Sequence, residues 1–168
     1  PMTVDHVSCP ITAAGPALRH DARVLDQSES SIALKLGWLA ALEEAAATGW
    51  PERFATISQR ASQLRSALAA VPGVTLRHLP SAPADCAIVA FTVQGSTPAQ
   101  IQQALLRHDI QVAASGRGFA PLDMQARGLD AVVRVSVAWH TTPADITALL
   151  HAIKALSTQA AQASTAII

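Results

Sequence analysis

Arg134 has the clearest chemical capacity in the chain. It is an always-charged guanidinium inside an otherwise apolar run, Val132-Val133-Arg134-Val135-Ser136-Val137-Ala138-Trp139. Alternation with a period of two puts Val133, Val135, Val137 and Trp139 on one face of a strand, and Val132, Arg134, Ser136, Ala138 and His140 on the other. A guanidinium held on a rigid strand presents a planar fork of donors that fits a carboxylate through two parallel hydrogen bonds. The pattern alone leaves two readings open. Either the second face lines a cleft and Arg134 anchors an acid, or it meets water and Arg134 is an outer residue of a half-solvated antiparallel strand.

Other chemistries find little material. Ser115-Gly116 is the one turn with the flavour of a nucleophile's, and it lacks the flanking pattern. Gly116-Arg117-Gly118 is too short to cradle a phosphate, and no Gly-Lys-Ser/Thr occurs. Glu43-Glu44 reads as helix surface, and Asp123 and Asp130 as loop, so no carboxylate pair is set up for acid–base work. Of the two lysines, Lys35 reads as snorkelling at a helix edge and Lys154 as lying on an exposed helix face. Neither is placed for a covalent role. The six histidines never fall four apart from one another or from a cysteine, so no metal site is expected. Cys86 opens an apolar strand and reads as a small buried hydrophobe, whereas Cys9 sits in a loop-like region. No residue is assigned a catalytic role.

At 168 residues, half of them hydrophobic and 14% charged, the chain reads as one folded domain with a real core. Twelve basic and twelve acidic residues cancel, and aromatics make up 4%. That balance gives neither a phosphate-binding footprint nor a base-stacking platform, so nucleic acid is not an expected partner. Charges and His140 interrupt every apolar stretch well short of the roughly 20 residues a membrane helix needs. No basic segment followed by an apolar run opens the chain, and two distant cysteines suggest no disulfide framework. A reducing cytoplasm is the expected location. The first residue is Pro1, which suggests a piece or a processed product.

The elements that must hold Arg134 follow from local signals. Residues 1–28 carry no sustained period and read as an extended lead-in. A helix is expected from Ser30 to Thr48, stopping at Gly49. Its apolar residues form two stripes (Ile32, Leu36, Leu39, Ala46 and Leu34, Trp38, Ala41, Ala45), so it is expected to be buried on two sides. Trp50-Pro51 starts a second helix, with Phe54, Ile57, Leu64, Leu68 and Val71 as its apolar stripe and its arginines on a solvated face; Pro72-Gly73 ends it. Strands are expected at Val74–Leu79, Cys86–Val93 and Ile110–Ala114, followed by a loop to about Asp130. Thr97-Pro98-Ala99-Gln100 and Thr142-Pro143-Ala144-Asp145 are capping boxes opening two more helices. The last buries Ile146, Leu149, Leu150, Ile153 and Leu156, and 158–168 is expected to fray. The result is an α+β fold: two N-terminal helices, then ββαββα, a small mostly antiparallel sheet with helices on one face.

The run Leu122-Asp123-Met124, Arg127-Gly128-Leu129, Val132-Val133-Arg134-Val135-Ser136 and Trp139-His140-Thr141-Thr142 resembles the C-terminal domain of class V aminotransferase-family enzymes. These are pyridoxal-phosphate-dependent proteins of fold type I. The likeness is closest to isopenicillin-N-epimerase-like and hercynylcysteine-sulfoxide-lyase-like members. Ala22-Arg23-Val24-Leu25-Asp26-Gln27-Ser28-Glu29 and the Val71-Pro72-Gly73-Val74 junction extend it along nearly the whole chain. Trp139-His140-Thr141 departs from the family's Tyr-Tyr-Asn.

The resemblance implies that Arg134 holds the substrate α-carboxylate. Ser28 and Glu29 fall where members reach a neighbouring subunit's cofactor phosphate, although a carboxylate at Glu29 repels phosphate and leaves that role to Ser28 and the backbone. The cofactor, pyridoxal 5'-phosphate, is bound mainly by residues absent from this chain, in a large domain that supplies the Schiff-base lysine. Residues 29–157 correspond to the small domain. The substrate is amino-acid-like, the complete enzyme a homodimer, and the reaction a C–S elimination, epimerisation or amino transfer. Cysteine desulfurases of the family need a Cys in the loop corresponding to Ala114–Pro121, and this loop has none. Two rivals stand beside this reading: a ferredoxin-like amino-acid-binding module without catalysis, and an inert remnant.

Overall fold

The computed structural model describes residues 9, 11–17, 20–22, 31–78 and 86–165. The chain divides into two compact units, Pro1–Thr48 and Gly49–Ile168. The first holds a small hairpin, β1 (Ile11–Thr12) and β2 (Gly15–Pro16), inside the stretch expected to be extended. Thr12 closes the turn: its hydroxyl donates to the Gly15 carbonyl and accepts from the Ala14 N–H.

Helix α1 (Ile32–Ala47) starts where Ser31 Oγ accepts from the Leu34 N–H. Burial on two sides, expected from its double stripe, is not what the structure shows. Ile32, Leu34, Leu36 and Trp38 are 61–75% exposed, and Ala45 is the one buried residue of the helix.

The second unit carries the sheet. Helix α2 (Trp50–Ala69) has Pro51 in its first turn and buries Ala61, Leu64 and Leu68. Phe54, placed in the same stripe by periodicity, is instead 63% exposed and stacks on Trp50. The α2 arginines differ from a plain solvated face. Arg53 sits 4.4 Å over the Trp139 ring, Arg60 donates to the Trp139 carbonyl, and Arg65 donates to the carbonyls of Cys86 and Ile88.

Strands β3 (Val74–Leu76), β4 (Ile88–Val93), β5 (Ala113–Gly116) and β6 (Ala131–Ser136) form one antiparallel sheet in the order β3-β4-β6-β5. Helix α3 (Pro98–Leu106) connects β4 to β5, and α5 (Pro143–Thr165) follows β6. Val89, Phe91 and Val93 of β4, with Val133 of β6 and Val137 just beyond it, meet α2, α3 and α5 in a single core. Phe91 is completely buried; burying a side chain of that kind contributes roughly 1.5–3 kcal/mol. Helices α2, α3 and α5 thus cover one face of the sheet, and the α+β order read from the sequence, apart from α1 in the first unit, is that of the second unit.

Several boundaries move. The stretch after β5, expected to be loop to Asp130, holds a 3-10 turn (Arg117–Phe119) and helix α4 (Pro121–Ala126). Pro121 suits a first helical position, and Met124 and Leu129 bury with Val132, with Ala90 packed against them, on the sheet face opposite the main core. β5 begins three residues later than expected, because Ile110 and Val112 pack on the core and Gln102 Nε2 donates to the Val112 carbonyl at 2.9 Å. α5 continues to Thr165 instead of fraying after Ser157. Its Ala- and Gln-rich tail is good helix-forming sequence, and buried Ser157 ties it down by donating to the Pro72 carbonyl. Cys86 is exposed, not buried: it precedes β4 at the sheet margin, and its sulfur accepts from the Ile88 N–H.

Candidate functional site

Arg134 lies in the middle of β6, an interior strand, in register with Ala90 of β4 on one side and Ala113 of β5 on the other. Alternation turns it away from Val133 and the helical core, toward the second face. Both lateral neighbours end at a methyl group, which leaves room for a guanidinium between the strands. Arg134 is half-buried, and its Nε is shut off from solvent with no hydrogen-bond partner among the described residues. Nearly all buried polar groups in folded proteins are satisfied, and an unsatisfied one costs about 1–3 kcal/mol.

The space beside it is a cleft of about 610 Å³. Arg134 and Ser136 of β6 line it together with Gln102, Gln103 and Leu106 of α3 and Gln111 from the approach to β5. At the far end of the preceding loop, Arg117 pairs with Asp130 at 2.7 Å and anchors the 3-10 turn to the start of β6. Phe119, in that turn, is 74% exposed.

The sequence named Arg134, Ser28 and Glu29. Arg134 is in the cleft, whereas Ser28 and Glu29 lie outside the described residues. Gln102, Gln103 and Gln111 were missed, and only the contact between α3 and the β5 approach brings them together. Among the described residues, no three His, Cys, Asp or Glu side chains gather where they could hold a metal, and no helix is long and apolar enough to cross a membrane.

Residues 30–149 match the aminotransferase class-V family. The chain belongs to that family. It is 34% identical over 91 residues to a cysteine desulfurase of Synechococcus elongatus, a match covering 54% of this chain and 14% of that protein. The structure is similar to the cysteine desulfurase CsdA of Escherichia coli, with a TM-score of 0.73, 21% identity, and coverage of 96% of this chain and 39% of that one. It is also similar to the cystine C-S lyase C-DES, with a TM-score of 0.64, 23% identity, and coverage of 92% and 38%. The class V chain described here thus spans about two fifths of the solved structures it matches and about a seventh of the curated relative.

Pyridoxal phosphate is the family's cofactor, and the described residues do not by themselves make a site for it. Lys35 and Lys154 have exposed side chains on α1 and α5, and neither lines the Arg134 cleft. The single cation there is a planar donor fork suited to a carboxylate.

Proposed function

We propose that this class V chain is the substrate-carboxylate-binding part of a pyridoxal-phosphate enzyme acting on an amino-acid-like substrate. The observation that carries the reading is the enclosed, partnerless Nε of Arg134 beside a cleft. A carboxylate entering there accepts from Nε–H and a neighbouring N–H, removing an unsatisfied donor while fixing the orientation of the substrate. The cofactor and the lysine that carries it belong to polypeptide outside this chain. In the complete enzyme two copies pair, with Ser28 serving the neighbour's cofactor phosphate.

For the reaction, we infer cleavage of a C–S bond without sulfur transfer to this domain. The curated relative is a cysteine desulfurase, so sulfur chemistry has the nearest support. The segment Ala114–Pro121, where the family resemblance puts a desulfurase's thiol, holds no cysteine and exposes Phe119 instead. Cys86 lies outside that loop, on the lead into β4.

The test is Arg134→Ala in the intact enzyme. Losing the carboxylate clamp raises KM for acid substrates at least about tenfold, on the order of 1.4 kcal/mol. An unchanged KM removes the anchor role. Assayed with L-cysteine, whose thiol sulfur a desulfurase passes to an enzyme thiolate as a persulfide, the wild-type enzyme cleaves the C–S bond and releases the sulfur into solution as sulfide. A persulfide found by mass spectrometry on Cys9 or Cys86 refutes the lyase reading.

A further inference from the structure

Helix α4 packs on the sheet face that carries Arg134. Met124, Leu129 and Val132 bury together there, with Ala90 against them. Val132 stands two residues before Arg134 on β6, and Ala90 is the lateral neighbour of Arg134 on β4, so both share its face. The α4 cluster therefore rests on two of the residues that flank the anchor. Arg127, the C-cap of α4, fastens the helix to the sheet. It donates from Nη1 to Asp123 at 3.1 Å and from Nη2 to the Arg77 carbonyl at 2.7 Å. The first bond stays within the turn and holds the guanidinium in place. The second crosses to a residue 50 positions earlier in the chain, and bonds from a charged donor are stronger than neutral ones. Arg77 is itself fixed. Its N–H donates to the Ala90 carbonyl at 2.7 Å, and its Nε donates to Thr92 Oγ1 at 3.0 Å. The fastening thus ends on the peptide paired with Ala90, next to Arg134, although Arg127 does not line the Arg134 cleft.

We propose that Arg127 is a positioning residue for the carboxylate anchor: by holding α4 against the sheet it keeps water from the Arg134 Nε. That Nε is shut off from solvent and has no hydrogen-bond partner among the described residues. A carboxylate arriving there gains a bond that water does not already supply. When α4 lifts, water reaches the Nε and competes for it, and the gain shrinks. This rests on the carboxylate role of Arg134 proposed above. It goes further by assigning the state of the anchor to a residue outside the cleft.

The experiment reads two quantities on the intact enzyme: exchange of the Arg134 Nε–H with water, by nitrogen-15 NMR, and equilibrium binding of acetate as the bare carboxylate. Arg134→Gln identifies the resonance by its disappearance. In the wild type this proton is expected to exchange at least about tenfold more slowly than that of free arginine. Arg127→Met keeps the length of the side chain and loses its donors. It is expected to speed exchange at least about fivefold and to weaken acetate at least about threefold. Met124→Ala loosens α4 from its buried side and gives the same acceleration, which supplies the readout if Arg127→Met fails to fold. Thr97→Ala weakens the fold at α3 without touching α4, and leaves exchange within about twofold of wild type. Wild-type exchange as fast as free arginine, unchanged exchange in either α4 variant, equal acceleration by Thr97→Ala, or faster exchange with unchanged acetate affinity in Arg127→Met each overturn the positioning role. If Arg134→Gln leaves acetate binding intact, the carboxylate role fails and that of Arg127 with it. If Arg134→Gln abolishes acetate binding while Arg127→Met changes neither readout, the anchor stands and only the positioning role falls.

Discussion

Replacing Gly73 by alanine probes the joint between α2 and β3 from two directions at once. Gly73 has φ +77°, and a Cβ built there lies 2.9 Å from Ser157 Oγ. A side chain in that left-handed conformation costs about 1–2 kcal/mol. The methyl also displaces the Ser157 hydroxyl from the Pro72 carbonyl, a bond worth about 0.5–1.5 kcal/mol. Against this, the stiffer unfolded chain returns about 0.4–1 kcal/mol. The net expectation is a loss of about 2 kcal/mol, read from the urea midpoint at constant slope. Ser157→Ala alone loses the hydrogen bond and costs about 1 kcal/mol. The double variant has no hydroxyl to displace, so its loss falls short of the sum of the two single losses by about 1 kcal/mol. Gly73→Ala within 0.5 kcal/mol of wild type (about the usual scatter of surface changes), or strictly additive losses, refutes the geometry of this joint.

Truncating Phe91, completely buried between α2, α3 and α5, to alanine costs about 3–5 kcal/mol in the same unfolding assay; a loss below about 1 kcal/mol is incompatible with that burial. Thr97→Ala removes the capping box that starts α3, with Thr97 Oγ1 accepting from the Gln100 N–H and Gln100 Oε1 from the Thr97 N–H, and costs about 1 kcal/mol. Asp145 accepts from the Thr142 backbone N–H at 2.7 Å, and this bond, followed by the Thr142 side chain and more weakly by His140 and Arg60, holds its carboxyl below the ordinary 3.8. A depressed carboxyl stabilises the fold above its unfolded value and loses that contribution as pH falls through the folded one. The stability advantage of wild type over Asp145→Asn therefore holds at neutral pH and closes below about pH 4, as thermal unfolding followed against pH measures; a gap that persists at lower pH contradicts the capping role. Leu34→Glu/Trp38→Glu on exposed α1 lowers self-association of the 168-residue chain in sedimentation, because large exposed apolar patches drive association.

Local chemistry made much of the second unit legible before any coordinates. Pro51, the two Thr-Pro capping boxes and the Pro72-Gly73 stop act within a few residues of themselves, and each sits where it was expected. The inward stripe of α5 was equally plain, since Ile146, Leu149 and Ile153 all reach the core. What local signals miss is decided by distant contacts. Helix α4 forms because Met124 and Leu129 find Val132 across the sheet, and α5 outlasts its expected end because Ser157 finds Pro72. Periodicity correctly reported that α1 is apolar on two sides, but it cannot report what, if anything, covers a given side. Arg134 was recognisable as an isolated charge in an apolar strand. The three glutamines beside it were not, because they come from α3 and the approach to β5 and carry no shared spacing.

Because β6 is hydrogen-bonded to a neighbour along both edges, the backbone under Arg134 has no cheap way to loosen. Its amide should exchange with solvent deuterium only when the whole sheet opens, while peripheral β5 and the short α4 release theirs earlier. The proposed carboxylate anchor thus sits in the part of the sheet expected to exchange most slowly. Sequence drift in the surrounding turns can proceed over evolutionary time without shifting the position of the Arg134 guanidinium.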